Sequence, residues 1–438
     1  MDWDYARDLY HCYDCLGVYG MRHFSIFISS IAMSAIIFTT DLPQDACVSC
    51  HFEIDQDKDV DERSLTNILD DIHIQKGLGC SDCHGGNPEA FDDEDEAMWD
   101  VDSFLGTIER VDQPQVCGVC HSDPIYMRQY SAHIKTDQVG QYWTSQHGVS
   151  LKEGNQNVAV CTDCHSVHGI FPVNDPRSSV YALNVPETCN HCHGDSEVME
   201  GSGLSNDQYD KYRISVHGVA LLDDMDISAP ACNDCHGNHG AIPPSVFSIS
   251  DICGSCHVNN KDLFKDSHLS DIFLNADLNQ CEGCHNYHDI LTPTDEDLLW
   301  NDKDNCVECH QEIEDVANKM GVKFNNIITE LKSKIDLANE KVASAENMGM
   351  EVSDLFFDLE EAHKILIQTR TSIHSFNLEH VSETASSGYK SADAAILGAE
   401  KAMEEFDFRK TGLLIFSIIL TMFAILLYLK IKSLEKNK

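Results

Sequence analysis

Positive charge is what this chain most lacks. Against 73 Asp and Glu it sets only 30 Lys and Arg, a formal net charge of -43. A surface of that sign repels nucleic acid and acidic lipid, and it steers basic redox partners or cations, or reflects a saline habitat. Proline is scarce, at 11 residues, and long uncharged apolar runs are confined to the two ends of the chain. The stretch between them has few long periodic segments, so residues 47–310 do not read as a conventional apolar-cored domain.

Cysteine is plentiful instead. Of 20 Cys, eighteen fall in nine CxxCH motifs. Their cysteines are Cys47 and Cys50, Cys80 and Cys83, Cys117 and Cys120, Cys161 and Cys164, Cys189 and Cys192, Cys232 and Cys235, Cys253 and Cys256, Cys281 and Cys284, and Cys306 and Cys309. Random placement of these residues would give roughly 0.05 such motifs in the whole chain. Two thiols three positions apart reach the two vinyl groups of one haem, and the next residue binds the iron from below. Those proximal ligands are His51, His84, His121, His165, His193, His236, His257, His285 and His310. Zinc ribbons and CxxC disulfides leave the invariant trailing His without a purpose. At about 29 residues per motif, the porphyrins themselves become much of the core, and the apoprotein is not expected to fold.

The remaining pair, Cys12 and Cys15, has no following His. It lies in residues 1–20, read as an over-extended start. Residues 21–45, MRHFSIFISSIAMSAIIF and its sequel, read as a signal peptide, or as an uncleaved anchor because no clean A-x-A site follows. At the other end, Gly412 to Leu429 is an uncharged apolar run within a predicted transmembrane helix over 411–431, followed by a cytoplasmic tail over 432–438. Lys430, Lys432, Lys436 and Lys438 place that tail inside and the rest of the chain outside, in the periplasm or at the cell exterior. Residues 46–310 form the motif-bearing domain. In 311–408 the apolar spacing lengthens to three and four, with Ile328, Leu331, Ile335, Val342 and Ala345 on one face. About three helices are expected there, broken at MGMEV and HSFNLEH, as a bundle or stalk. The predicted fold is mainly α, with little regular secondary structure in the haem-packed region.

The motifs repeat in pairs: Cys80 with Cys117, Cys161 with Cys189, Cys232 with Cys253, and Cys281 with Cys306, leaving Cys47 as an added site. Three first motifs extend to CxxCHxxH, and Ser-x-His segments follow the second motifs. Low-spin electron-transfer haems take a second strong ligand, most often imidazole. Nine histidines qualify: His73, His133, His147, His168, His217, His239, His268, His288 and His374. Because the proximal His holds the near face, the second His of CHxxH is expected to reach a neighbouring iron. His191 is an alternative to His73 or His133, His363 and His380 to His374, and Met98 and Met127 are thioether candidates.

These motifs resemble those of multihaem c-type cytochromes, over roughly 47–310 and on to His374. The resemblance implies closely stacked haems, usually with two imidazoles per iron, that conduct single electrons. Some relatives are enzymes, among them hydroxylamine oxidoreductase, pentahaem nitrite reductase and octahaem tetrathionate reductase. The nitrite enzyme marks its open haem with CxxCK, which is absent here, and nine candidate ligands fill nine irons; both favour a carrier over an enzyme. The expectation is a membrane-anchored chain of nine covalent haems c, passing electrons between a quinol-linked membrane donor or other cytochromes and an acceptor outside. The alternatives are a reductase of a small nitrogen or sulfur compound at one five-coordinate haem, and a subunit of a cytochrome filament, complex or homo-oligomer.

Overall fold

The computed structural model describes residues 46–54, 65–100, 102–243, 249–276, 278–299, 310 and 315–436. The N-terminal segment with Cys12 and Cys15, the signal-like run, Cys306, Cys309 and the last two residues lie outside the described residues. The described residues all belong to one contact unit, Leu42–Lys438. They are helical, with no strand among them.

The first motifs of the four pairs sit in one-turn helices, and the local reason recurs. In Cys80–His84, Cys161–His165 and Cys232–His236, the Asp of CxDCH turns back on the helix start. Asp82, Asp163 and Asp234 accept the backbone N–H of Gly79, Val160 and Ala231 at 2.7, 2.7 and 2.8 Å, satisfying donors a short helix leaves orphaned. The residue after the proximal His then stops the turn at positive φ: Gly85 at 68°, Ser166 at 67°, Gly237 at 83° and Asn286 at 59°. With ψ near 180°, that conformation suits glycine, so Ser166 and Asn286 hold backbone strain of order 1–3 kcal/mol each. Second motifs close longer helices with an early proline, such as Gln113–His121 and Val185–His193, where Pro114 and Pro186 are buried.

Beyond these turns the chain builds three long helices, Val316–Asn347, Ser353–Ser372 and Leu378–Lys436. Ile328, Leu331, Ile335, Ala338, Val342 and Ala345 of the first pack with Leu359, Ala362 and Leu366 of the second and Ala385, Ala392, Ala395 and Ala399 of the third. Small residues on the third helix bring its axis close: a Cβ on Gly388 would stand 3.0 Å from Ile365 and 3.1 Å from Leu331. The first and third helices run parallel, as Lys334–Asp393 at 2.7 Å and Lys341–Glu400 at 3.2 Å record, and the second returns between them. The third does not stop at the bundle. It continues unbroken into the apolar run, where every residue from Thr411 to Glu435 is exposed. This one helix is long and apolar enough to cross a membrane, with a mean hydropathy of 2.6 in its apolar window.

The haem-motif region meets the bundle at the end away from that apolar run. The Leu298 carbonyl lies against Gly321, Asn325 donates to the Asp295 carbonyl at 2.7 Å, and Arg370 grips the Asp295 carboxylate at 2.7 and 2.8 Å.

Candidate functional site

Seven proximal histidines each face one distal candidate. Ring centroids stand 6.0 Å apart for His73 and His121, 5.9 Å for His84 and His168, and 6.2 Å for His147 and His193. The series continues with His165 and His239 at 5.9 Å, His217 and His257 at 6.2 Å, His236 and His288 at 5.9 Å, and His285 and His374 at 6.1 Å. Rings in van der Waals stacking would be closer. Two metal–imidazole bonds of about 2.0 Å each, the length zinc sites show, account for some 4 Å of that spacing. What remains is the reach from each ring centre to its own nitrogen, so one metal fits midway.

The metal would not be held by protein alone. Among the described residues, no group of three or more His, Cys, Asp or Glu could hold a metal ion. Each gap offers two imidazole nitrogens and, among the described residues, no further protein ligand, a donor set that fits a haem iron. The residues of the seven facing pairs line one continuous cavity of about 4520 Å³ that runs from Ala46 to Phe376. A site for one ligand needs about 300–1,000 Å³, so this is room for a series of cofactors.

Charge and hydrogen bonding suit ligation. Burial pushes His121, His147, His193, His217, His236, His239, His285, His288 and His374 below the usual imidazole range, and takes His165 down to about 4, with His239 and His121 adding to it. The neutral ring is the form that binds a metal. Several rings are oriented through Nδ1, which makes Nε2 the nitrogen available to a metal. His84 donates to the Gly106 carbonyl at 2.8 Å, His374 to the Thr371 carbonyl at 3.0 Å, and His73 to the Asp71 carboxylate at 3.0 Å. Burial, with neighbouring thiols, pushes Cys83, Cys164 and Cys235 up to about 11, away from the thiolate that zinc requires.

The cysteines also order the motifs. Cys117 shares a hydrogen bond with Cys161, Cys189 with Cys232, and Cys253 with Cys281. Between those contacts, Cys83 feels the charge of Cys117, Cys164 that of Cys189, and Cys235 that of Cys253. The seven motifs from Cys80 to Cys281 therefore neighbour one another in chain order.

The distal residues reach their places by one repeated device. Ser145 and Ser215 cap the turns that carry His147 and His217, each accepting a glycine N–H at 3.0 Å. A Cβ on Gly148 or Gly218 would collide with the carbonyl of Tyr142 or Tyr212. Asp71 does the same work for His73, accepting its backbone N–H at 2.8 Å. Each turn then docks on the strip of chain after a CHxxH motif: Ile72 N–H donates to Ile170 at 2.9 Å, Gln146 to Ala241 at 2.9 Å, and Val216 to Ile290 at 2.8 Å. One docked pair of segments thus supplies both distal rings of a two-motif unit.

This redraws the repeat. The Ser-x-His segment belongs to the motif pair that follows it, and Asp71-Ile72-His73 is the hidden first copy; an Asp in the Ser position was its signal. The second His of each CHxxH does face a neighbour's proximal ring, one unit back.

Two candidates are not brought to a proximal ring. His133 and His268 are exposed, and among the described residues neither they nor His51 and His310 enter a His–His ring contact. His310 Nδ1 lies 2.9 Å from the Asp315 carboxylate. His268 directly follows its Ser, one residue earlier than His147 and His217 follow theirs. Of the substitutes, His191 and His380 are exposed and His363 donates to the Leu359 carbonyl of its own helix at 2.8 Å. Met98 and Met127 line the cavity.

Residues 72–194 match the family model for cytochrome c3. The match supports a multihaem c-type cytochrome. It begins beside His73 and ends beside His193, so it spans the four motifs of two motif pairs, though not His239, which faces His165, and it implies covalently bound haem c. No curated protein and no solved structure matches the chain.

Proposed function

We propose that this chain is a nine-haem electron conduit, anchored by its C-terminal helix with the haem region outside the cytoplasm. The observation that carries the reading is the run of seven facing imidazole pairs strung in chain order. When bound, haem c supplies one-electron transfer. The cysteines would hold each ring covalently, and the proximal His with its facing partner would hold the iron and leave no position for an exogenous ligand. His73, His147, His168, His217, His239, His288 and His374 are the distal ligands of this reading. His268 is assigned to His310 by order in the fourth repeat alone, since its ring is exposed and stands one residue out of register with His147 and His217. Filled coordination at these sites favours relay over catalysis.

The bundle sets where electrons enter. His374 stands immediately before the third bundle helix, and the 34 residues from Leu378 to Thr411 make about 50 Å of α-helix. The haem site of His285 and His374, beside the bundle, is therefore carried well above the bilayer. A quinol confined to the membrane does not reach it; the donor is a quinol-oxidising complex whose own redox centre projects to that height, or a second cytochrome. The strongly acidic surface selects partners with a basic face.

The test is the intact mass of the purified full-length protein together with stopped-flow reduction. Nine haem increments, and reduction of all haems in coupled phases by a small basic electron donor, are expected. A mass without haem increments, or haems that reduce independently of one another, would overturn the proposal.

A further inference from the structure

One position breaks the rule of the repeat. The ring facing the first motif of a unit stands three residues past the proximal His of the next: His168 for His84, His239 for His165, His288 for His236. Carried one step toward the N-terminus, that rule assigns the lone Cys47–His51 motif to the residue three past His84. That residue is Asn87. The strip after that motif does lie beside the Cys47 site, since Ala46 N–H donates to the Pro88 carbonyl at 2.8 Å, one residue nearer its proximal His than Ile170, Ala241 and Ile290 are to theirs. Asn87 is engaged in its own loop, its N–H donating to the Ala97 carbonyl at 2.8 Å and its Oδ1 accepting Glu89 N–H at 3.1 Å. An amide oxygen is in any case a poor ligand for haem iron beside an imidazole. Among the described residues His51 faces no ring, and residues 52–67 contain neither His nor Met.

We propose that the haem held by Cys47, Cys50 and His51 keeps an open iron position that takes a small neutral ligand. The inference rests on the haem reading above. The ligand class follows from charge: Asp92, Asp93 and Glu94 follow Pro88 closely in the chain, and the net charge of -43 disfavours anions throughout the molecule. One haem of the series is thus a ligand-binding terminus while its neighbours are closed.

Carbon monoxide added to the fully reduced, full-length protein tests this by absorbance. Wild type is expected to take up CO at the first haem. The Cys47→Ser/Cys50→Ser double variant, lighter by one haem increment, should lose one CO equivalent per chain, and Asn87→His should lose the same equivalent with its haem count intact. His133→Ala and Met98→Ala should leave uptake unchanged. On the oxidised protein at low salt, imidazole should bind this haem and nitrite should not. No CO uptake by wild type, uptake unchanged in the double variant and in Asn87→His, a gain in His133→Ala or Met98→Ala, or nitrite binding ahead of imidazole would each overturn the proposal. A protein without haem increments in its mass would instead sink the electron-conduit reading.

Discussion

The haem-motif region and the bundle are both helical, yet they are built on opposite principles. In the bundle, Ile328, Leu331, Ile335 and Val342 fill the space between long helices, and the fold closes on its own side chains. In the motif region, turns of five residues end at positive φ, the aliphatic cluster around Leu221 is small, and the centre is a cavity lined by paired imidazoles. Where the first region has a core, the second has a set of places for one. The contrast teaches that helix content says little about what stabilises a chain, because in one region apolar burial closes the fold and in the other, on the reading proposed, ligation does.

That contrast is open to attack from both sides, beginning with the largest effect. Expressed without haem attachment, residues 46–299 should not fold, whereas the bundle should keep its helices. Limited proteolysis with circular dichroism checks this; a protease-resistant motif region in the apoprotein would erase the distinction. Leu331→Ala should cost the bundle about 2–5 kcal/mol, as a cavity among fixed neighbours does. Thermal unfolding followed at the helix signal should shift, with the haem count unchanged. Within the motif region, Gly218→Ala forces a Cβ into the Tyr212 carbonyl, so a loss of about 1–3 kcal/mol is expected together with one low-spin haem disturbed, that of His257. Smallest is Ser215→Ala, which removes only the cap of the same turn, at about 0.5–2 kcal/mol. A larger loss from Ser215→Ala than from Gly218→Ala would show that the cap and not the close approach positions His217.

Much of this was legible in the residues, and the limits are instructive. CxxCH is a covalent requirement, so nothing in the tertiary fold obscures it. The bundle core followed from spacing of three and four, and the two breaks around Met348–Val352 and His374–Asn377 are glycine- and asparagine-marked turns. Continuity of the third helix into the apolar run was less visible, because the charged stretch EEFDFRK suggests a boundary that helix propensity simply crosses. Seven of the nine histidines singled out in the sequence stand opposite a proximal ring, but which faces which was not legible. His147 and His239 are joined by a bond from Gln146 to Ala241, far apart in sequence, and no local pattern announces such a contact. His268 shows the converse: a His in nearly the right place, displaced by one residue, which turns it out of register with His147 and His217.

The facing pairs are the centre of the account, and the spin state of the irons reads them most directly. Near-infrared magnetic circular dichroism of the oxidised full-length protein, combined with electron paramagnetic resonance, counts haems with two imidazole ligands. At least seven such haems are predicted, falling by one in His374→Ala as the His285 haem turns high-spin. Fewer than seven, or a His374→Ala protein with its low-spin count intact, would contradict it.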